Sequence, residues 1–565
     1  MQLLDWIILC STLLLIVAYG TLKTKGAKNS VEYIKGGNEA KWWTVGLSVM
    51  ATQASAITFL STPGQAFNDG MGFVQFYFGL PIAIIIICIV FIPIYHKLKV
   101  FTAYEYLESR FDLKTRTLTS LLFLIQRSLA AGITIFAPAI ILSSVLGWDL
   151  TTLNIIIGLL VIIYTVSGGT KAVNYTQKYQ MGVIFTGLII TFLIIIYSLP
   201  ENVTFEKAIE LAGANDKMKI LDFSFDLENR YTVWSGILGG TFLMLSYFGT
   251  DQSQVQRYLS GKSLKEMQMG MIFNGILKIP MQFLILLLGV LLFTFYQFKE
   301  SPIFFNKTVE TKAWSTPYKD SLAAIQDQFK VAQAKQLELN RALVQSNIAD
   351  TALENKIQQG AVSLSALQKN YKNVIATAVP GADVNDTNYI FLRFVVDYLP
   401  VGLVGLLIAV IFLAAWGSIA AALNALASCT VIDFHLRYRS KSIDGTTLAQ
   451  SATDYKTSKW YTLAWGVFCI LTAQFATGMG SLIEAVNVLG SLFYGVILGI
   501  FLVAFYAKKV GGTAVFWAAI VGEIFVIVCF CLDKYDIVGI GFLCQVILCI
   551  TNWSSVDFIG FESLY

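Results

Sequence analysis

Uninterrupted apolar runs dominate this chain, and they decide what it can become. Pro81–Pro93 and Ile155–Val166 are two of them. Runs approaching about 20 apolar residues are long enough to cross the hydrocarbon core of a bilayer. Inside lipid the backbone finds no water to bond, so only helices and closed barrels can span it. These runs are continuous rather than alternating, which selects helices. The composition agrees: 56% of residues are hydrophobic and 13% are charged, whereas a soluble domain carries about a quarter charged residues.

Thirteen spans are expected, over roughly 3–20, 43–62, 72–95, 118–143, 151–166, 176–198, 233–252, 268–295, 392–430, 460–477, 481–504, 512–531 and 537–551. The ninth region is too long for one straight span and is expected to continue as a helix beyond the membrane. Leu3–Tyr19 lacks a basic start and no A-x-A-type cleavage site follows it, so it is read as a span rather than a signal peptide. The loops after spans 1, 3, 5, 7, 9 and 11 carry the Lys and Arg, among them Lys23, Lys25, Lys28, Lys35, Lys97, Lys99, Arg110, Arg257, Arg437 and Lys441. Gly64–Gly72, Gly147–Leu150 and Gly478–Ser481 carry none. Basic loops stay cytoplasmic, so the N-terminus is expected outside and the C-terminus inside.

The implied segments are 1–41 (first span and loop), 42–199 (first half of the core), 200–231 (an extracytoplasmic loop), 232–531 (second half) and 532–565 (last span and tail). An extracytoplasmic insert occupies about 298–390. Its middle, Ser321–Ala376, is rich in Ala, Gln, Lys and Leu, a composition that favours helix, and a solvated helical hairpin with no role in transport is expected there.

Several function classes drop out. The eight cysteines lie in apolar runs without a disulfide framework or metal-ligand spacing. No phosphate-binding glycine loop or dinucleotide fingerprint occurs, which disfavours ATP-driven pumping by this chain alone. The two histidines, His96 and His435, fall at cytoplasmic span ends, so no histidine-based enzyme or haem site sits at membrane depth. No enzyme activity, no organic cofactor and no nucleic-acid partner is expected; the bilayer is the surrounding partner.

The second span, Ser48–Gly64, crowds small and hydroxyl residues where lipid favours Leu. Close helix packing also selects small residues. The functional alternative is a broken helix whose freed carbonyls bind a cation, tolerated only where the unwound backbone faces protein or a water-filled cavity. Ala414–Ser428 in the ninth span repeats the pattern, and Ser418 offers a hydroxyl oxygen. A hard cation needs several oxygens, which the second span's backbone could complete. No carboxylate is among them, which favours Na+ over a proton. Arg127 and Lys278 lie deep in spans, with Asp251 and Glu484 nearer span ends. Intramembrane charges mark function by default, while snorkelling or a structural ion pair is the plain alternative. Arg127 is read as structural; for Lys278 the two stand even.

Tyr104–Phe111, Gly132–Ala139, Tyr164–Val173 and Asp251–Ser260 are each weak signals, but their order and spacing are specific. With them the chain resembles the sodium/solute symporter family, nearest in pattern to the branch of iodide, monocarboxylate and multivitamin transporters, from the first span to about residue 510. The resemblance implies an all-α, LeuT-like core of five-plus-five inverted repeats, with solute and ion near the midplane. It implies a sodium site at the carbonyls of Ala51, Ala54 and Ala414 and the hydroxyl of Ser418. Gly417 stands where many members have a second Ser. Gln177 stands where many have Asp, and Ala420 and Ala421 replace hydroxyls, so one sodium per solute is expected. Tyr247 matches an aromatic gate and Lys278 a substrate-contacting lysine; Gln53 and Thr58 are further expected substrate contacts, and Gln177 and Asp251 are expected to serve gating or coupling. Met244 and Val486 replace amides of a sugar site. The expected activity is therefore sodium-coupled symport of a small solute, with a monocarboxylate first and a sugar or polyol second. A transporter-like sensor is the alternative of another class; sensor members carry a cytoplasmic kinase extension, and this chain ends at Tyr565. The Ile-, Lys- and Asn-rich composition points to a bacterial inner membrane.

Overall fold

The computed structural model describes residues 1–23, 38–225, 231–345, 351–439, 452–477 and 479–534. Lys25, Lys28, Lys35, Lys441, Cys544, Cys549 and the expected span at 537–551 lie outside them. Seven helical stretches among the described residues are long and apolar enough to cross a bilayer, and Leu3–Ile16, Leu150–Val166 and Val233–Gly249 are shorter apolar helices. Among the described residues, one isolated β-bridge joins Ala40 and Gly261.

The helices run as follows. α1 is Leu3–Lys23; α2 (Trp42–Gln53) and α3 (Ala56–Asp69) are two halves of one broken span; α4 (Leu80–Ile86) passes through a wide turn into α5 (Ile92–Leu98). After α6 (Glu105–Arg110) comes α7 (Leu113–Leu146). The Asp112 carboxylate accepts the Thr115 amide at 2.8 Å to start α7, and Gly147 ends it at φ +70°, the left-handed position that Gly fills without strain. α8 (Leu150–Tyr197) is two arms meeting at Gly169, where φ is 59° and ψ −168°. This backbone turn separates the spans expected at 151–166 and 176–198.

The stretch expected as a loop at 200–231 contains α9 (Phe205–Ala214), and α10 (Val233–Gly249), α11 (Gln252–Tyr258) and α12 (Leu264–Phe298) follow it. The span expected at 233–252 is thus also broken, at Thr250–Asp251, where the Asp251 carboxylate accepts the Ser253 amide at 2.8 Å and starts α11. The region expected as one long helix over 392–430 is two: α16 (Ile390–Tyr398) and α17 (Leu403–Cys429). Pro400 has no amide to give a helix, and Gly402 takes φ +93°. Beyond Cys429 the helix does continue, through a wide turn at Thr430–His435 into α18 (Leu436–Arg439). α19 (Ala452–Ala473), α20 (Leu482–Tyr506) and α21 (Gly512–Lys534) follow.

α17 is the hub. It packs on α1, α2, α3, α7, α8 and α19, and its residues from Leu407 onwards are buried. Its Ala, Gly and Ser positions let so many backbones approach. Between α12 and α16 the chain leaves the bundle as α13 (Lys307–Trp314), α14 (Lys319–Gln345) and α15 (Thr351–Ala378). α14 and α15 lie along each other around Phe329, Tyr371 and Ile375, and dock on α9 through Leu211, Ala214, Leu343 and Ile357.

At the opposite end of the bundle, Arg116 bridges Asp433 (2.7 Å) and Glu108 (2.8 Å), and Arg437 pairs with Glu108 at 2.6 Å. Thr102 and Ser120 donate to the fully buried Asp433 at 2.7 and 3.1 Å. This knot ties α6 and α7 to the end of α17. Arg116→Met strands a buried carboxylate, a loss of about 3–5 kcal/mol, so thermal unfolding in detergent is expected at a clearly lower temperature. Lys219→Met, which removes an exposed partner of Asp222, is expected to shift stability by no more than about 1 kcal/mol.

Candidate substrate and cation site

The break between α2 and α3 sets up the site. Ala54 takes ψ +67° and Ser55 ψ +171°, so helical bonding stops there. Ala54 still donates to the Met50 carbonyl (2.8 Å), but the Ser55 amide turns to Gln53 (2.8 Å) and the Thr58 amide to Ser55 (3.0 Å). The Ala51 and Ala54 carbonyls therefore lose the amides, four residues on, that a continuous helix would aim at them. The Thr58 hydroxyl reaches back across the break to the Gln53 carbonyl at 3.3 Å.

α17 lies against both halves of the broken span. The Ser418 hydroxyl donates to the Ala414 and Ala415 carbonyls, each at 3.0 Å; a hydroxyl that has spent its proton keeps its lone pairs as acceptors. Ser418 shares one cavity wall with Thr52, Gln53 and Ser55, while Ala51, Ala54 and Ala414 are buried beside it. At Gly417 a Cβ would meet the Gln180 Oε1 at 2.7 Å, so the missing second serine goes with a large neighbour that fills its place. Gln177 is bonded on both sides: its Oε1 accepts from Ser48 (2.6 Å), and its Nε2 donates to Thr52 (3.2 Å) and the Gly417 carbonyl (3.1 Å). One amide thereby joins α2, α8 and α17.

The central cavity has a volume of about 120 Å³ and lies among α2, α3, α7, α10, α12, α17 and α20. Gln53, Thr58, Tyr247 and Lys278 all line it. Lys278 is 4% exposed, and its ammonium sits 5.9 Å from the centre of the Tyr77 ring. Among the described residues no carboxylate stands within ion-pair distance of it. The lining holds two cations, Lys278 and Arg127, and neither Asp nor Glu.

Asp251 lies just behind the wall. Its carboxylate accepts from Tyr494 at 2.8 Å and sits 3.5 Å from Arg127. Tyr247 accepts from Gln254 at 2.8 Å, and the Tyr247 and Tyr494 rings are 5.9 Å apart. This cluster seals the cavity on the α11 side. Towards the insert, Ser61 bonds Ser481 (3.1 Å), and Gln65 and Tyr231 both donate to Glu484 (3.3 and 3.1 Å), holding α3 to the start of α20. Sequence reasoning did not single out Tyr77, Gln126, Asn487 or Tyr494. Gln126 carried a signal, a polar neighbour of Arg127 at membrane depth; Tyr77 and Tyr494 look like ordinary packing aromatics.

A family model described as "Sodium:solute symporter family" matches residues 33–313 and 332–522. The chain belongs to this family. It is 32% identical over 274 residues to the sodium-coupled monocarboxylate transporter 1 of Xenopus laevis, covering 48% of this chain and 44% of that one. It is 30% identical over 291 residues to the human sodium/iodide cotransporter, covering 50% and 44%. The matched stretch thus spans less than half the length of either relative. The sodium/sialic acid symporter SiaT of Proteus mirabilis is 26% identical over 520 residues, covering 91% and 86%. Among solved structures, a substrate-bound, outward-open Na+-coupled sialic acid symporter superposes with a TM-score of 0.72 at 24% identity, covering 100% of this chain and 98% of that one. The fold is therefore the LeuT-like inverted-repeat fold. The family and these relatives are transporters, not enzymes.

Proposed function

We propose that this protein is a sodium-coupled symporter that imports a small organic anion, a monocarboxylate foremost, by alternating access. One observation carries the anion: a central cavity lined by the buried Lys278 and by Arg127, with no carboxylate in its wall. An unpaired ammonium in such a place is costly, and a carboxylate solute relieves it. The freed carbonyls of Ala51 and Ala54, with Ala414 and Ser418, supply the oxygens for sodium. An ion held there bridges the broken span to α17 and favours one arrangement of the two, so ion and solute each raise the other's affinity. The basic ends face the cytoplasm of a bacterial cell, and the insert faces outside. A sugar or polyol is the second reading; Met244 and Val486 stand at the cavity where hydroxyls need partners. The test is competition: pyruvate, lactate and nicotinate are expected to inhibit uptake of the labelled solute, and glucose and myo-inositol to leave it unchanged.

One sodium accompanies each solute. Gln177 is fully bonded as a neutral bridge, and Ala420 and Ala421 bring no oxygen of their own. The dependence of uptake on sodium concentration is expected to have a Hill coefficient near one; a value approaching two contradicts this stoichiometry.

A further inference from the structure

A second, larger cavity of about 530 Å³ lies outside the bundle core, under the hairpin formed by α14 and α15. Its floor is the end of α3 and of α12, and its roof is the hairpin. Lys217, Lys369 and Lys372 line it against a single carboxylate, Asp69. Lys372 is already paired with Asp386 at 2.5 Å. Lys217 donates to the Asn68 carbonyl and lies 5.1 Å from the Phe293 ring centre. Lys369 has no carboxylate within ion-pair distance among the described residues. The same wall holds the amides Gln333 and Gln368, each able to donate and accept at once. A cation plus adjacent amides suits a carboxylate that carries hydroxyl groups; an apolar solute would leave those amides unanswered.

The position matters as much as the lining. Asp69, in the cavity wall, is bonded by Gln65, and the same Gln65 amide donates to Glu484 at 3.3 Å. The floor of this cavity and the contact that holds α3 to α20 are therefore one hydrogen-bonded chain. The central cavity lies at the other end of α3, about 20 Å away along 14 residues of helix. The family match is interrupted between residues 313 and 332, inside the insert that forms the roof.

The geometry points to an outer binding site in which the hairpin captures a small hydroxylated carboxylate ahead of the central cavity. This rests on the anion reading of that central cavity. The outer site contains none of the oxygens assigned to sodium, so its occupancy does not depend on sodium. With Lys372 paired to Asp386 and Lys217 facing Asp69 and Asp216, Lys369 is the lining charge that an anion would meet.

The test is equilibrium binding of radiolabelled D-gluconate and L-lactate to the purified full-length protein in sodium-free buffer. Binding is expected in the wild type and in Lys278→Met, and a tenfold or greater weakening in the double variant Lys369→Gln, Gln333→Ala. Both substitutions are on the hairpin surface, and unfolding temperature checks that the variant folds. In proteoliposomes the same double variant is expected to raise KM severalfold at unchanged Vmax. No sodium-free binding in the wild type, or binding that survives the hairpin variant at full strength, overturns the outer site. Failure of sodium-driven uptake in an otherwise binding-competent wild type would instead strike the symport reading and leave the outer site standing.

Discussion

Replacing Ser418 with alanine is expected to raise the sodium concentration for half-maximal uptake about tenfold or more. Ser418 supplies the side-chain oxygen assigned to sodium, on the cavity wall where α17 faces the broken span. A polar group serving a charged partner contributes about 1.5–3 kcal/mol, and about 1.4 kcal/mol is a factor of ten. The hydroxyl's other bonds, to Ala414 and Ala415 at 3.0 Å, run back along its own helix and do not tie α17 to a neighbour. The unfolding temperature without sodium should therefore change little. Sodium-induced stabilisation should shrink with the weakened binding, because a ligand stabilises only the state it binds. Ser418→Thr keeps the oxygen and should retain most of the sodium response. An unchanged sodium dependence in Ser418→Ala contradicts the assignment.

The second large effect is at Lys278. Lys278→Met keeps the length and apolar bulk of the side chain and removes the charge. The expected result is a loss of anion uptake of about a hundredfold, from losing a charge-assisted contact of about 1.5–3 kcal/mol made in a site sheltered from water. A structural lysine would predict the opposite pattern, with a falling unfolding temperature. Lys278 has no carboxylate partner to strand among the described residues, and burying an unpaired charge costs stability. The methionine variant should thus fold as well as the wild type or better. A destabilised variant that still takes up the anion at full rate would return Lys278 to a structural role.

Much of the fold was legible because the bilayer leaves so few options. Long apolar runs become helices. The small and hydroxyl residues of Ser48–Gly64 are consistent with either close packing or a broken helix, and the structure breaks the helix between Gln53 and Ala56. The counterpart break at Thr250–Asp251 leaves no such mark, because the flanking residues read as an ordinary span end; only the Asp251 cap, followed by Ser253, betrays a new helix start. The division of the ninth region needed Pro400 and Gly402 to be weighed together against a strongly apolar background. In the site, the sequence candidates Gln53, Thr58, Tyr247, Lys278 and Ser418 border one cavity. Resemblance supplied the roles of most of them, since periodicity cannot tell a gating tyrosine from a packed one. Arg127 has the partner that a structural role requires, Asp251 at 3.5 Å, and also a place on the cavity wall. The hairpin's helices were visible in their composition, but the polar space beneath them depends on contacts between α9, α12, α14 and α15 that lie far apart in sequence.

The most direct test of the account is uptake into proteoliposomes carrying the wild-type protein, with and without an inward sodium gradient, using labelled pyruvate, lactate and nicotinate alongside glucose and myo-inositol. The account predicts that a carboxylate accumulates above its external concentration only when the gradient is present, and that the sugars do not. Sodium-stimulated binding without accumulation of any solute, or gradient-driven accumulation of a sugar with the carboxylates excluded, would contradict it.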